Sequence, residues 1–399
     1  MKRRSLLLMV AFIMGAFGAN AQSDSTAAVA ASTTDEGSLS INGYVDTYYF
    51  YNTNKPSTRL NQARVFDTKH DNFSIGLVQT AFTYTKGKVK VVADLVFGPN
   101  AELANFGNTG TSLGIKQAYG TYSFTDKLSL TVGQFGTHIG YELIDAPLNY
   151  NYSLSYLFGN GPFYHTGAKL DYVASDKFGV MFGVVNGWDE LQDFNNKKTI
   201  VAQVHLMPVE GFNVYTNFVT GDESKGLSYF GAKDGCRTSL FDLSTAFQVN
   251  EALKIGVDAA YGLFTTGYDR EITDQDIADA ATPEEAEFLT SEKRYSKDNE
   301  WKGAALYLNY AMSPVFGLGL RAERFSDPSG MRYFGPIEAT AFTLTGDIKL
   351  ADGKFNLKPE VRFDATDDPY FLSGASKLKK NQTTIGAAVI YSFNGTFGK

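Results

Sequence analysis

Four histidines, at 70, 138, 165 and 205, and the lone Cys236 are the only imidazole or thiol groups in the sequence. A protein metal site needs several such groups brought together at short, regular spacing, and these are scattered. No H-E-x-x-H, P-loop or G-x-S-x-G segment occurs, so the usual carriers of metallohydrolase, phosphate-binding and nucleophile-elbow chemistry are missing. No catalytic residue, metal ligand or cofactor is expected on these grounds. One stretch concentrates what remains: FGTHIGYELIDAPLNYNYSLSYLFGNGPFYHTG, Phe135 to Gly167. It holds His138 and His165, the acids Glu142 and Asp145, and a run of tyrosines that includes Tyr141, Tyr150 and Tyr152. It has no hydrophobic period of its own, so its role depends on the elements that position it.

The chain opens MKRRSLLLMVAFIMGAFGANAQ. A basic start, an apolar run and small residues at Ala19 and Ala21 are the marks of an export leader, residues 1–21. The apolar run is too short to cross a bilayer, which takes about 20 residues. Residues 22–37 are rich in Ala, Ser and Thr and are expected to form a flexible mature N-terminus. The leader carries three bases and no acid, so its loss makes a formal net charge of −7 more negative. Such a chain is a poor nucleic-acid binder, because that affinity rests on Lys and Arg neutralising phosphates. A single cysteine allows no internal disulfide in an exported protein, so a large core or a closed sheet must supply stability.

Composition favours the closed sheet: 31 Phe and 23 Tyr stand against two Trp, with 39 Gly and 11 Pro. Segment after segment alternates with period two, the signature of a sheet with two chemically different faces. In KFNLKPEVRFD, Phe355, Leu357, Pro359, Val361 and Phe363 take one face, and Asn356, Lys358, Glu360, Arg362 and Asp364 the other. FNVYTNF, LKIGVDAAYGL and TIGAAVIYSF follow the same rule. Very short turns, among them Lys86-Gly87, Ser175-Asp176-Lys177 and Asp352-Gly353, alternate with long polar stretches. Rings recur on the apolar face beside the short turns, at Phe124, Tyr172, Phe178, Phe212, Phe247, Phe355 and Phe393, as in the aromatic girdles of membrane barrels. The reading is all-β: a closed antiparallel transmembrane β-barrel of about 16 strands, residues 38–399, with short periplasmic turns and long extracellular loops. A soluble exported sandwich is the competing fold.

A sheet can span lipid only when closure pairs every backbone N–H and C=O, and about 16 strands enclose room for an aqueous channel. Lys169, Asp171, Lys358, Glu360 and Arg362 fall on the polar face and are expected to line that lumen. Inward glycines such as Gly256 are expected to relieve strand curvature. Residues 136–162 form the third long loop. Their apolar and aromatic content suits a segment folded inward, with His138, Tyr141, Glu142, Asp145, Tyr150 and Tyr152 shaping a constriction and His165 anchoring the return. The sixth long loop, 266–300, is acidic, and its Thr282-Pro283-Glu284-Glu285 run reads as a helix start.

INGYVDTYYFYNTNKPS, LVFGPNAEL, VGQFGTHIGYELID, NYNYSLSYLFGNGPFYHTG and GVVNGWD stand in that order through the first half of the mature chain. They resemble the OmpL-like β-barrel porins, the β-barrel porin-2 family. The resemblance implies a pore-forming outer-membrane protein without a cofactor. Where that family often has a Trp and an Arg in its fourth motif, Tyr150 and Leu154 stand here, so no anion preference carries over from the resemblance.

The expected activity is therefore passive diffusion of small hydrophilic solutes across an outer membrane. Lipid and those solutes are the expected partners, and a homo-oligomer is compatible with the reading. Two alternatives stay open: a barrel that acts mainly in adhesion or partner binding through 266–300 and the other long loops, and a barrel enzyme.

Overall fold

In a computed structural model the described residues are 37–224, 235–333 and 335–398. The expected leader and the stretch that follows it as far as residue 36 lie outside them. The alternating segments form β1 (Ser38–Asn52), β2 (Phe73–Lys86), β3 (Val89–Phe97), β4 (Ile115–Ser123), β5 (Leu128–Gly136) and β6 (Tyr164–Ser175). They continue as β7 (Phe178–Val185), β8 (Thr199–Val209), β9 (Phe212–Asp222), β10 (Arg237–Gln248), β11 (Leu253–Thr265) and β12 (Asn299–Ser313). The last are β13 (Phe316–Asp327), β14 (Ile337–Leu350), β15 (Phe355–Thr366), the short β16 (Phe371–Ser373) and β17 (Lys377–Lys379), and β18 (Asn381–Phe397).

Among the described residues sixteen strands close into one barrel, each beside its chain neighbour, with β18 pairing β15 on one side and β1 on the other. The closing seam is long and regular, from Leu39 opposite Phe397 to Asn52 opposite Thr384. β16 and β17 form a separate hairpin in the last long connection.

Alternation sorts the faces as the sequence pattern requires. Phe82, Tyr122, Phe182, Phe241, Leu306, Phe342, Phe363 and Ile385 point outward and are exposed. An apolar exterior of this extent is stable only in lipid. At the short-turn end Phe124, Tyr172, Phe178 and Phe393 are exposed too, while Phe212 and Phe247 meet edge to face at 5.5 Å on neighbouring strands. The inward face differs from end to end. Near the long loops it carries Val185, Val201, Val219, Leu240, Phe264, Trp301 and Phe325, all buried in one cluster inside the barrel. Nearer the middle it carries charges.

The long connections hold further structure. The second contains α1 (Pro99–Ala104). The sixth contains α2 (Asp274–Ala278), closed by a Thr273/Asp276 capping box, and α3 (Pro283–Glu292), whose N-cap is Thr282. Four carboxylates of this acidic loop have local partners in these contacts: Asp276 with Arg270, Asp274 with Lys293, Glu271 with Lys297, and Glu292 with the Tyr268 hydroxyl.

Candidate pore constriction

β5 ends at Gly136, and the chain then leaves the wall and crosses the lumen before rejoining it as β6. The reach of residues 137–163 is recorded by their hydrogen bonds. At the near side Thr137 Oγ1 lies 3.2 Å from His165 Nε2, and the two rings of His138 and His165 are 5.4 Å apart. His138 Nε2 is 3.1 Å from the carbonyl of Phe218 on β9. Burial pushes the His138 imidazole down to about 4, so it is neutral at pH 7.

The loop then moves along the wall. Gly140 N donates to Asp242 on β10 at 3.1 Å, and Tyr141 N to Asp258 on β11 at 3.3 Å. Next it arrives opposite β13 to β15. Glu142 accepts from Arg321 at 2.6 Å and from Ser155 N at 2.8 Å, which also ties the outgoing limb of the loop to its return. Tyr152 N and Ser153 N donate to Glu360 at 2.7 and 3.1 Å, and Tyr156 N to Glu323 at 2.7 Å. In the other direction Arg321 donates to the Ser153 carbonyl at 2.5 Å, Arg362 to that of Leu154 at 2.6 Å, and Lys358 to that of Asn149. On the β1 side Tyr152 Oη donates to Asp46 at 2.5 Å, and Asp145 pairs with Lys116 on β4.

The physical logic is reciprocal. A loop without regular structure carries unpaired backbone groups that are costly to bury. The inward strand faces carry charges that are costly to bury alone. Carboxylates of the wall take the loop's N–H groups, and cationic side chains take its carbonyls. Space is provided where the loop lands. A side-chain carbon at Gly256 would sit 2.5 Å from the Tyr141 ring, and one at Gly319 would sit 3.0 Å from Tyr150 Cβ. Tyr141 thereby reaches Tyr307 and stacks on it, with ring centroids 4.3 Å apart.

This placement corrects one expectation. Lys358, Glu360 and Arg362 do not stand open to a water-filled lumen; they are 1, 4 and 0% exposed, because the loop lies over them and uses them as anchors. Lys169 and Asp171 are also buried in the wall, 3.5 Å apart, with the Lys169 ammonium 5.4 Å from the Phe135 ring. Gly256 makes room for a loop ring, a role beyond the strand curvature expected of it. Of the loop residues, Tyr141, Asp145 and Tyr150 keep partial exposure, whereas His138, Glu142, Tyr152 and His165 are buried. Sequence reasoning missed Arg321, Glu323, Asp242, Asp258, Lys116 and Arg64 as loop anchors. Arg64 belongs to the first long connection and reaches Asp364 at 2.6 Å. The available signal was the same in every case but Arg64: a charge on the inward side of an alternating strand.

The remaining histidines are likewise tied up. His205 stacks on Tyr215 at 4.5 Å, and His70 Nδ1 accepts from Asn52 N at 2.9 Å. Among the described residues no group of three or more His, Cys, Asp and Glu is arranged to hold a metal ion.

A family model described as "Putative beta-barrel porin-2, OmpL-like" matches residues 38–393. No curated protein matches the sequence. Similar solved structures include an anion-selective porin from Comamonas acidovorans, with 12% identity and a TM-score of 0.56 over 90% of this chain and 100% of that one. The outer membrane channel DcaP of Acinetobacter baumannii has 14% identity and a TM-score of 0.54 over 90% and 97%. Salmonella typhi OmpF, solved with daunomycin, has 10% identity and a TM-score of 0.55 over 89% and 97%.

Proposed function

The chain belongs to this OmpL-like family of outer-membrane β-barrel porins, and we propose that within its channel the loop 137–163 is the constriction that small hydrophilic solutes must pass. The porin is a passive conduit: solutes cross down their gradients without a cofactor. Tyr141, Asp145 and Tyr150 are the loop residues that face the solute. His138, Glu142 and Tyr152 hold the loop in place, and His165 secures its return to the wall. Lys358, Glu360 and Arg362 act through the loop by fixing where it lies, and the Lys169/Asp171 pair stiffens the wall beside its start.

The observation that carries this reading is the span of the loop. It leaves the barrel between β5 and β6, yet bonds to Glu360, Arg321 and Arg362 on strands across the closed sheet. A segment bonded so far from its origin occupies the cross-section through which any solute travels. Reconstitution in planar bilayers tests it. The intact protein gives stepwise ohmic conductance, and a chain in which a short Gly/Ser link replaces residues 140–156 gives larger steps. Equal steps from a correctly folded deletion protein would refute the constriction, and the absence of any conductance from the intact protein would refute the open channel.

A further inference from the structure

Asp242 on β10 and Asp258 on β11 point into the barrel and carry the first stretch of the constriction loop. Consecutive loop N–H groups, those of Gly140 and Tyr141, donate to Asp242 Oδ1 at 3.1 Å and to Asp258 Oδ2 at 3.3 Å. Asp242 Oδ1 also accepts from Asn217 Nδ2 on β9 at 2.5 Å. Both acids are buried, 3 and 2% exposed. Their other oxygens, Asp242 Oδ2 and Asp258 Oδ1, are buried and take no N–H among the described residues. What each carboxyl meets instead is the other: the two are hydrogen-bonded side chain to side chain.

A carboxylate only accepts, so two of them cannot hydrogen-bond unless one carries a proton. The surroundings supply no countercharge that would replace it. Ser244 and Ala305 stand opposite Asp258 in the register, and Asn217 and Ala260 opposite Asp242. Gln203 on β8 lies behind Asn217 and donates to its Oδ1 at 2.9 Å. The loop brings His138, which is neutral, the phenol of Tyr141, and Glu142, whose carboxylate is taken by Arg321. β12 brings the phenol of Tyr307, and Lys254 on β11 is set apart from Asp258 by the intervening inward Gly256. Among the described residues neither acid is in an ion pair. Two buried carboxyls in contact then hold one proton between them, because a second negative charge would be both desolvated and repelled. Asp242 has two N–H donors on one oxygen and Asp258 a single donor, so the charge rests on Asp242 and the proton on Asp258.

Building on the constriction reading above, we infer that Asp242 and Asp258 form a one-proton latch for the loop. Latched, the Asp258 hydroxyl donates to the Asp242 carboxylate, and the two side chains together hold Gly140 and Tyr141. When that proton passes to the water of the lumen, two anions are left side by side under the loop; they part and give up the N–H groups they held. Only the docked loop needs the proton, so docking weakens as pH rises through its release. The outgoing limb leaves the wall, while the return limb keeps its bonds to Glu323, Glu360 and Arg362. The channel widens in part and does not lose its constriction altogether.

Planar-bilayer recordings of the full chain at pH 6 and about pH 9.5 test the latch. The steps of the intact protein should grow roughly twofold between the two, as a segment narrowing the pore is displaced. Asp258→Asn fixes the latched form with no proton to lose, since its amide donates where the carboxyl did and its carbonyl still accepts from Tyr141 N. Its steps should equal those of the intact protein at pH 6 and stay the same at the higher pH. If it does not fold, Asp242→Asn applies the same test from the other strand. Steps of the intact protein that do not change with pH, or an undiminished change in the folded variant, would overturn the proposal. Proteinase K cleavage beside Tyr141, scaled to an unstructured peptide at each pH, reads the loop without a current: it should rise at the higher pH in the intact protein and not in Asp258→Asn. A chain that shows this cleavage pattern but conducts no ions would keep the latch and lose the channel.

Discussion

Arg321 Nη1 lies 2.6 Å from Glu142 Oε1, joining β13 to a loop residue 179 positions earlier in the chain. The same guanidinium donates to the Ser153 carbonyl at 2.5 Å, to Glu323 at 3.0 Å and to Thr343 Oγ1 at 3.2 Å. One buried cation thus sets the position of both limbs of the constriction. Removing one member of a buried, hydrogen-bonded ion pair costs on the order of 3–5 kcal/mol, because the other is left uncompensated. Arg321→Met should therefore undock the loop without opening the barrel: single-channel steps grow and protease cleavage appears within 137–163. Adding Glu142→Gln to Arg321→Met should cost less than the sum of the single changes, as residues in contact do. Wild-type conductance and protease resistance in Arg321→Met would show that the loop is held by other means.

The two glycines at the landing sites give a graded test. A side chain at Gly256 collides with the Tyr141 ring at 2.5 Å, whereas a methyl at Gly319 overlaps Tyr150 Cβ less, at 3.0 Å, and a shift of a few tenths of an ångström in the loop relieves it. Overpacking of this kind costs about 1–3 kcal/mol. Gly256→Val should displace Tyr141 from Tyr307, enlarge conductance and quench the chiral aromatic signal of the stacked pair in near-ultraviolet circular dichroism. Gly319→Ala should do little of either. The opposite ranking would mean that the ring of Tyr141 is not what the glycine accommodates.

The barrel was legible because its signals are local. Alternation in KFNLKPEVRFD assigns faces residue by residue, and short turns such as Asp352-Gly353 fix where strands reverse, so strand number and handedness of the faces follow without any long-range information. The start of α3 at Thr282-Pro283 was legible for the same reason. The loop anchors were not. Whether Glu360 meets water or Tyr152 N depends on a contact between residues 208 positions apart, made only after the sheet closes on itself. An inward charge reads identically in both cases. The sequence pattern could say that Lys358 and Arg362 face the lumen, but not that a loop would cover them. Arg64 was beyond reach altogether, since it sits in an irregular stretch and pairs with Asp364 300 positions away.

The return of the loop to β6 should depend on pH. Asp189 accepts from Phe163 N at 2.5 Å and from Tyr164 N at 3.1 Å. Glu190 lies beside it, with Glu223 and Asp193 facing it from the neighbouring strand end and its own connection, and Arg332 above as the countercharge to Asp189. Burial first, and the neighbouring acids second, push the Glu190 carboxyl up to about 8; burial pushes that of Asp189 up to about 7. Both values exceed those of unfolded carboxyls, about 4. The folded state then binds more protons between about pH 4 and 8, and the stability this gives is lost as pH rises through that window. Amide exchange at Phe163 and Tyr164 should accelerate from pH 5 to about pH 9 beyond its intrinsic rise. Glu190→Gln should suppress the alkaline part of that acceleration and change nothing near pH 4. An identical profile in the variant would remove Glu190 from the account.

At the extracellular mouth the connection between β13 and β14 closes over the barrel. Asp327 accepts from the backbone N–H of Met331, Arg332 and Tyr333 at 2.9, 2.7 and 3.2 Å, which turns Arg332 inward. Its guanidinium lies 5.3 Å from the ring centroids of both Trp188 and Trp301, and its Nε donates to Asn160 of the constriction loop at 3.3 Å. Tyr333 Oη accepts from the Asn160 amide at 3.1 Å, and its ring meets Tyr156 and Phe325 edge to face. The two connections therefore hold each other over the apolar cluster at the top of the lumen. Cation–π contacts shielded from water are worth about 2 kcal/mol, and losing two of them together with the Asn160 bond should release the cap. Arg332→Ala is expected to lengthen open times and raise mean current, with a smaller effect on the size of the fully open step, which the loop below still sets. Arg332→Lys should fall closer to the alanine variant than to the native protein, because a compact ammonium cannot contact both indoles, which stand edge to face, while donating to Asn160. Unchanged open times in both variants would show that the mouth is not a gate and that resistance resides in the constriction alone.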